Sequence, residues 1–137
     1  MIPTYLGSGD PARRRTDYYP AWLNYLADDV SLEAPAMECA AQGAEDVRTI
    51  TVTAKSLYEY QEFNYAGPYG NTGFLEDYTT AVHGEPTGVV VTVTRDAAGK
   101  TQHIVVNHRP RSSLLFFSRL MGEKFAGTPV GEHFLAS

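Results

Sequence analysis

Two alternating, largely apolar runs each carry one residue fit for proton transfer if alternation turns it inward, Glu76 within GFLEDYTTAV and His108 within TQHIVVNHR. A carboxyl shielded from water has its pKa raised by desolvation, and a neighbouring imidazole would trade protons with it near neutral pH. Such a pair suits general acid/base work on a neutral, rather apolar substrate: enolisation, ring closure or water addition. The competing reading is structural, with His108 beside Arg109 at the mouth of a pocket and Glu76 paired with a basic side chain. Tyr18 and Trp22 are the aromatic residues expected nearest the pair, with Tyr78 beside Glu76 in sequence. Tyr58, Tyr60, Tyr65 and Tyr69 cluster further along the chain, where they suit ligand stacking or, more simply, a strand or dimer face.

Other reactive residue types lack the spacing their chemistry needs. His103 and His108 are five apart on an expected strand and so point to opposite faces, while His83 and His133 fall in a turn and a tail. No metal site and no cofactor is expected. Cys39 sits among Met37, Ala40 and Ala41 and reads as a small apolar residue over a pocket rather than a nucleophile. Gly7-Ser8-Gly9 lacks the preceding strand of a phosphate loop, and Arg13 to Arg15 reads as a solvated helix face.

The chain has 137 residues, enough for one domain with one core. Eleven Lys and Arg against sixteen Asp and Glu leave a net charge of −5, which removes the electrostatic attraction nucleic-acid binders and anionic membranes rely on. The longest apolar runs, GVVVTV and SLLFF, are far short of the about 20 residues that span a bilayer. One cysteine and an N-terminus without an apolar stretch behind a basic start predict a reducing, cytoplasmic location with no nucleic acid and no membrane as partner.

The elements that must position these residues follow from periodicity. Asp10-Pro11 is a helix start with an N-cap and Pro at the first position, giving one turn over 12–15. Tyr18, Trp22, Tyr25 and Leu26 recur at helical spacing and predict a helix over about 17–27. Val30, Leu32 and Ala34 alternate before Pro35 and predict a short strand. Residues 44–57 are ambiguous, since TITVT favours a strand while Val47, Ile50, Thr51, Ala54 and Tyr58 favour a helix; helix is preferred. Period-2 runs over 58–65, 73–83, 87–95 and 101–108, broken by GPYGN, HGEP and RDAAGK, make an antiparallel meander. Ser112 can cap a closing helix with an apolar stripe of Leu114, Phe117, Met121 and Phe125.

The order of LADDVSLEAP, a GAEDVR helix, a strand meander with the RDAAGK turn, and a strand ending NHRP before an amphipathic helix resembles the NTF2-like superfamily, in its SnoaL-like and ketosteroid-isomerase-like branch. The resemblance covers roughly residues 18–125 and implies an α+β cone: a strongly curved antiparallel sheet wrapped by N-terminal helices and a C-terminal helix, with an apolar pocket inside and a homodimer across the sheet. It also favours the helix over 44–57. The whole chain reads as a single domain, with 1–15 and 127–137 as loosely defined ends, His133 and Phe134 being free to fold over a neighbouring subunit. The resemblance further implies a proton-shuttling carboxylate where this chain has Ala34 and a protonated acid where it has Val91, and no Asp-Arg-Asp set can be placed, so those activities are disfavoured. Glu33, Asp28 and Asp29 resemble the family's helix-to-strand junction and read as backbone caps.

Parity then assigns the interior. With Val91 inward, Val89 and Val93 follow, as do Ile104, Val106 and His108 on the last strand and Phe74, Glu76, Tyr78 and Val82 on the earlier one; a one-residue slip would exchange Glu76 for Asp77. The predicted catalytic pair is Glu76 and His108, as the only ionisable groups of the pocket. Its predicted ligand contacts are Tyr18, Trp22, Phe74, Tyr78, Val89, Val91, Ile104 and Val106. The functional expectation is a cone holding a small apolar molecule, polyketide-, steroid- or terpenoid-like, either as an isomerase, cyclase or hydratase or as a carrier. A dimerising interaction module with the cavity plugged by Phe74, Phe116 or Trp22 is the remaining alternative.

Overall fold

Four consecutive strands dominate the chain because β-branched residues alternate with polar ones and each connection has the turn chemistry a hairpin needs. The computed structural model describes residues 1–134, and of the C-terminal end expected to be loosely defined, 135–137 lie outside the described residues. The meander consists of β4 (Gln61–Tyr69), β5 (Gly73–Val82), β6 (Glu85–Arg95) and β7 (Thr101–Arg109). His83 and Gly84, both at positive φ (50° and 81°), make the two-residue turn between β5 and β6. The turn from β6 to β7 is closed by the Asp96 carboxylate, which accepts from the Ala98 and Lys100 amides at 2.9 Å each.

The sheet is completed by β1 (Arg14–Arg15), β2 (Leu26–Glu33) and β3 (Ala41–Gln42), in the order β1-β4-β5-β6-β7-β2-β3. Every pairing is antiparallel except β2 with β7, so the sheet is mixed. Between β5 and β6 the register runs without a bulge, and it sets two adjacent rows across the inner face. One row is Glu76, Val91 and Val106; the next is Tyr78, Val89 and His108. Asp77 therefore faces outward, opposite Val90.

Two helices cover that inner face. In α1 (Ala44–Leu57) the β-branched run is overruled by packing: Val47, Ile50 and Leu57 are buried on one side, and Glu45 and Asp46 in the first turn suit the positive end of the helix dipole. In α2 (Arg111–Lys124) Phe117 and Met121 are buried, each contributing about 1.5–3 kcal/mol by leaving water. Ser112 does not cap this helix; Ser113 is the buried serine, and its hydroxyl donates to the Pro86 carbonyl at 2.9 Å. No helix among the described residues is long and apolar enough to cross a membrane.

The expected helix over 17–27 does not form. Only Ala21–Asn24 makes a 3-10 turn, and β2 already begins at Leu26. The backbone here is drawn to β7 instead: the Thr101 amide donates to the Tyr25 carbonyl at 2.7 Å and the Thr101 hydroxyl to the Trp22 carbonyl at 2.8 Å. The helical spacing of aromatics was a coincidence of separate roles, with Tyr25 exposed and Leu26 in the core. The wrapping helices are thus α1 and α2, without a helix at the N-terminus.

Each end carries one short turn within the described residues. Pro11–Arg13 forms one 3-10 turn, capped by Asp10 accepting from the Ala12 amide at 3.0 Å. Arg14 is no solvated helix residue: it pairs with Glu62, which is only 1% exposed, at 3.3 Å and lies over the Tyr60 ring. The other oxygen of Glu62 accepts the Gly9 amide at 2.9 Å. At the C-terminus Pro129–His133 forms a further 3-10 turn, and Phe134 is buried against its own chain.

Candidate functional site

A cavity of about 70 Å³ lies between the inner sheet face, α1, α2 and the 18–22 segment. Small residues leave the space: Ala34, Ala36 and Ala54 line it where larger side chains would fill it. Tyr18, Trp22, Glu76, Tyr78, Val91, Val106 and His108 also line it. Three expected contacts do not. Val89 and Ile104 are fully buried beneath other side chains, because parity fixes a residue's face and not its depth; Phe74 lines a separate surface cleft with Tyr25 and Arg95. Nor are Glu76 and His108 the only ionisable groups, since Lys55 and the hydroxyls of Tyr18, Tyr58 and Tyr78 share the lining. Phe116 does not reach it, and Trp22 lines the cavity without filling it.

One end is built around Glu76, 2% exposed. Its Oε2 accepts the Tyr18 hydroxyl at 2.5 Å and the Trp22 indole N–H at 3.0 Å, while Oε1 has no protein partner among the described residues. Burial pushes the Glu76 pKa above the usual carboxylate range, and the two donors oppose that shift only in part. The Tyr18 hydroxyl is held far from ionisation by burial and by the neighbouring carboxylate. No cation is paired with Glu76 among the described residues.

The other end is built around His108. Its Nε2 lies 2.8 Å from the Tyr58 hydroxyl, its ring stacks on Phe117 at 4.1 Å, and Nδ1 has no partner among the described residues. Burial lowers its pKa to about 3, so the ring is neutral at any physiological pH. An orphaned N–H in the interior costs more than an orphaned lone pair, so the proton sits on Nε2 and is donated to Tyr58. The Tyr58 hydroxyl is then free to donate onward. Tyr58 and Tyr78 sit close enough to perturb one another, and burial raises both pKa values. Sequence reasoning saw Tyr58 as one of a tyrosine cluster and as the last member of a helical stripe, and missed Gln61, Lys55 and Phe134 on the cavity wall; the available signal was the tyrosine placed where a helix gives way to a strand.

No family model and no curated protein matches the sequence. Solved structures do resemble the fold. An uncharacterized protein from Silicibacter pomeroyi, described as having a cystatin-like fold, superposes with a TM-score of 0.71 at 16% identity, covering 77% of this chain and 74% of that one. A steroid delta-isomerase from Pseudomonas aeruginosa gives 0.70 at 19% identity, covering 76% and 77%. An NTF-2 like protein of unknown function from Burkholderia xenovorans gives 0.53 at 16%, covering 66% and 73%. The chain has the NTF2-like fold. At these identities the likeness speaks for the architecture alone.

Within this NTF2-like fold Ala34 and Val91, the positions where the resemblance implies carboxylates, both border the cavity and have no ionisable group. Glu76, across from Val91 in the register, is the acid this chain does place there. The outer sheet face carries a second polar group, in which His103 bonds Ser31 through Nδ1 at 2.6 Å and Glu33 through Nε2 at 2.9 Å. Glu33 therefore serves His103 rather than capping backbone, whereas the Asp29 side chain accepts from Gln102 at 3.1 Å. Cys39 is exposed rather than set over the cavity, and its Sγ lies 3.1 Å from Nδ1 of His133. Among the described residues no group of three or more His, Cys, Asp or Glu could hold a metal.

Proposed function

We propose that this protein takes a small, neutral, largely apolar molecule into the cavity and moves a proton on it with Glu76, as an acid/base isomerase, cyclase or hydratase would. The observation that carries the reading is the carboxyl itself: buried, unpaired with any cation among the described residues, and with Oε1 unclaimed. A raised pKa keeps the proton-transfer driving force close to what neutral pH requires. On a ketone, Glu76 as carboxylate would take a proton from the carbon beside the carbonyl. The bonding pair would then move onto the carbonyl oxygen, where the Tyr58 hydroxyl, oriented by His108, can donate. Returning the proton to a different carbon would complete an isomerisation. His108 on this reading positions Tyr58 and takes no proton.

The test is solvent exchange. Incubated with 2-tetralone in D2O and followed by proton NMR, the protein should accelerate loss of the signal beside the carbonyl, and Glu76→Gln should lower that rate by about 100-fold or more. Equal rates for both proteins would move the assignment to a carrier of the same ligand class. That second reading has an observation in its favour, since a His108 fixed as neutral cannot shuttle protons with Glu76. We also propose pairing of two copies through the outer sheet face, supported by the half-exposed Leu75, Val90 and Val105 there, with sedimentation velocity as its check. A cytoplasmic setting is proposed on the single exposed thiol.

A further inference from the structure

The cavity is smaller than its proposed ligands. At about 70 Å³ it has less than half the volume of an engineered apolar cavity, about 150 Å³, that holds one benzene. A two-ring ketone exceeds this space, so it must either protrude through the mouth or displace a wall. The walls differ in what holds them: the sheet and the two helices are fixed by hydrogen-bond ladders, and Trp22 and Tyr18 are tied to Glu76. The turn bearing Ala34, Ala36 and Met37 is held to α2 by the Ser118 hydroxyl, which donates to the Ala36 carbonyl at 2.6 Å. Phe134, by contrast, lines the cavity from a segment beyond α2 with a side chain that has no polar tie. Its ring is 4% exposed and lies stacked on Phe125 at 6.2 Å.

Among the described residues, the segment carrying it is bonded to the rest of the fold at the end of α2, where the Thr128 hydroxyl donates to the Phe125 carbonyl at 2.6 Å, and at 38–39. The Glu38 amide donates to the His133 carbonyl at 2.7 Å, and His133 Nδ1 sits 3.1 Å from Cys39 Sγ and 3.2 Å from the Cys39 carbonyl. The Thr128 hydroxyl caps the turn itself. We infer that the Pro129–Phe134 segment is a displaceable plug, and that Phe134 sets the size of molecule the cavity accepts by yielding its place to a ring of the ligand. This rests on the cavity being the ligand site. The ligand class it selects is a flat ring system of two or more fused rings: one ring takes the Phe134 position against Phe125, and the rest extends toward Glu76.

Two variants read the plug in opposite directions, with 2-naphthol as the probe and calorimetry as the measurement. Phe134→Ala removes the ring and should bind 2-naphthol at least tenfold more tightly than the parent. His133→Cys places a thiol beside Cys39, and oxidation by oxidised glutathione, which accepts the two electrons and two protons released by the thiols, pins the segment. The oxidised form should bind at least tenfold more weakly than the same protein after reduction. Equal binding by the pinned and released forms, or no gain in Phe134→Ala, would overturn the plug while leaving the ligand site standing. Absence of binding by every form, Phe134→Ala included, would overturn the ligand site and the plug together.

Discussion

Glu76 and His108 share one cavity without touching. They stand on strands separated by β6 and on adjacent rows of the inner face, an ideal-sheet separation of about 12 Å. Each is bonded by its own tyrosine, Tyr18 for the carboxylate and Tyr58 for the imidazole. Removing the two should therefore have unequal effects on turnover. Glu76→Gln should lower the 2-tetralone exchange rate by about 100-fold or more, whereas His108→Gln, which can still hydrogen-bond Tyr58, should lower it by less than about tenfold. Comparable losses in both would restore His108 as a proton carrier.

Tyr18→Phe tests what holds the Glu76 charge. The Tyr18 hydroxyl and the Trp22 N–H both favour the ionised carboxylate and so oppose the upward push of burial. Deleting the Tyr18 hydroxyl should raise the Glu76 pKa further, and the rising limb of the exchange rate should move to higher pH with it. A carbon-13 titration of labelled Glu76 gives the direct measurement. A downward shift would mean that water enters the site and outweighs the lost donor.

Stability should carry two opposite pH slopes from the same cavity. His108 has a folded pKa of about 3, well under the ordinary imidazole value, so between about 6.5 and 3 the unfolded chain binds the extra proton and stability falls with falling pH. Glu76 has a raised folded pKa, so above its ordinary value of 4.5 the folded chain retains a proton the unfolded chain has lost, and stability falls with rising pH. Urea titrations across pH 4–8 should show the acid-side loss flattened in His108→Gln and the alkaline-side loss flattened in Glu76→Gln. Parallel profiles for either variant and the parent would show that group solvated in the folded state.

What the chain made legible was period and parity. The meander, α1, α2 and the inward face of Glu76 follow from alternation and from the His83-Gly84 turn, because a two-residue hairpin fixes register over the whole of β5 and β6. Depth and diagonal distance were not legible. Val89 and Ile104 have the right face yet lie under other side chains, and the offset of Glu76 from His108 depends on an irregularity between Thr94 and Arg95 that no periodicity announces. The false helix over 17–27 arose where long-range bonds from Thr101 outcompete local ones. Phe134 was out of reach for the same reason, since its burial depends on a segment meeting Glu38 and Cys39 far away in sequence.

The N-terminal arm should prove coupled to the cavity through Arg14. Glu62 is buried and takes one bond from Arg14 Nε and one from the Gly9 amide, fastening residues 9–15 to β4 just before the chain delivers Tyr18 to Glu76. Arg14→Ala leaves a buried carboxylate with only the amide, and a lost bond to a charged group costs about 2 kcal/mol. Because Arg13 and Arg15 flank the break and are exposed, loosening of the arm should also make the chain a better trypsin substrate there. The expected pattern is a lower urea midpoint, earlier cleavage at 13–15, and a weaker exchange rate with Glu76 itself unaltered. Arg14→Lys should recover part of the stability, since it restores the charge without the guanidinium fork. Unchanged cleavage in Arg14→Ala would show that the strand pairing of β1 with β4 holds the arm without the ion pair.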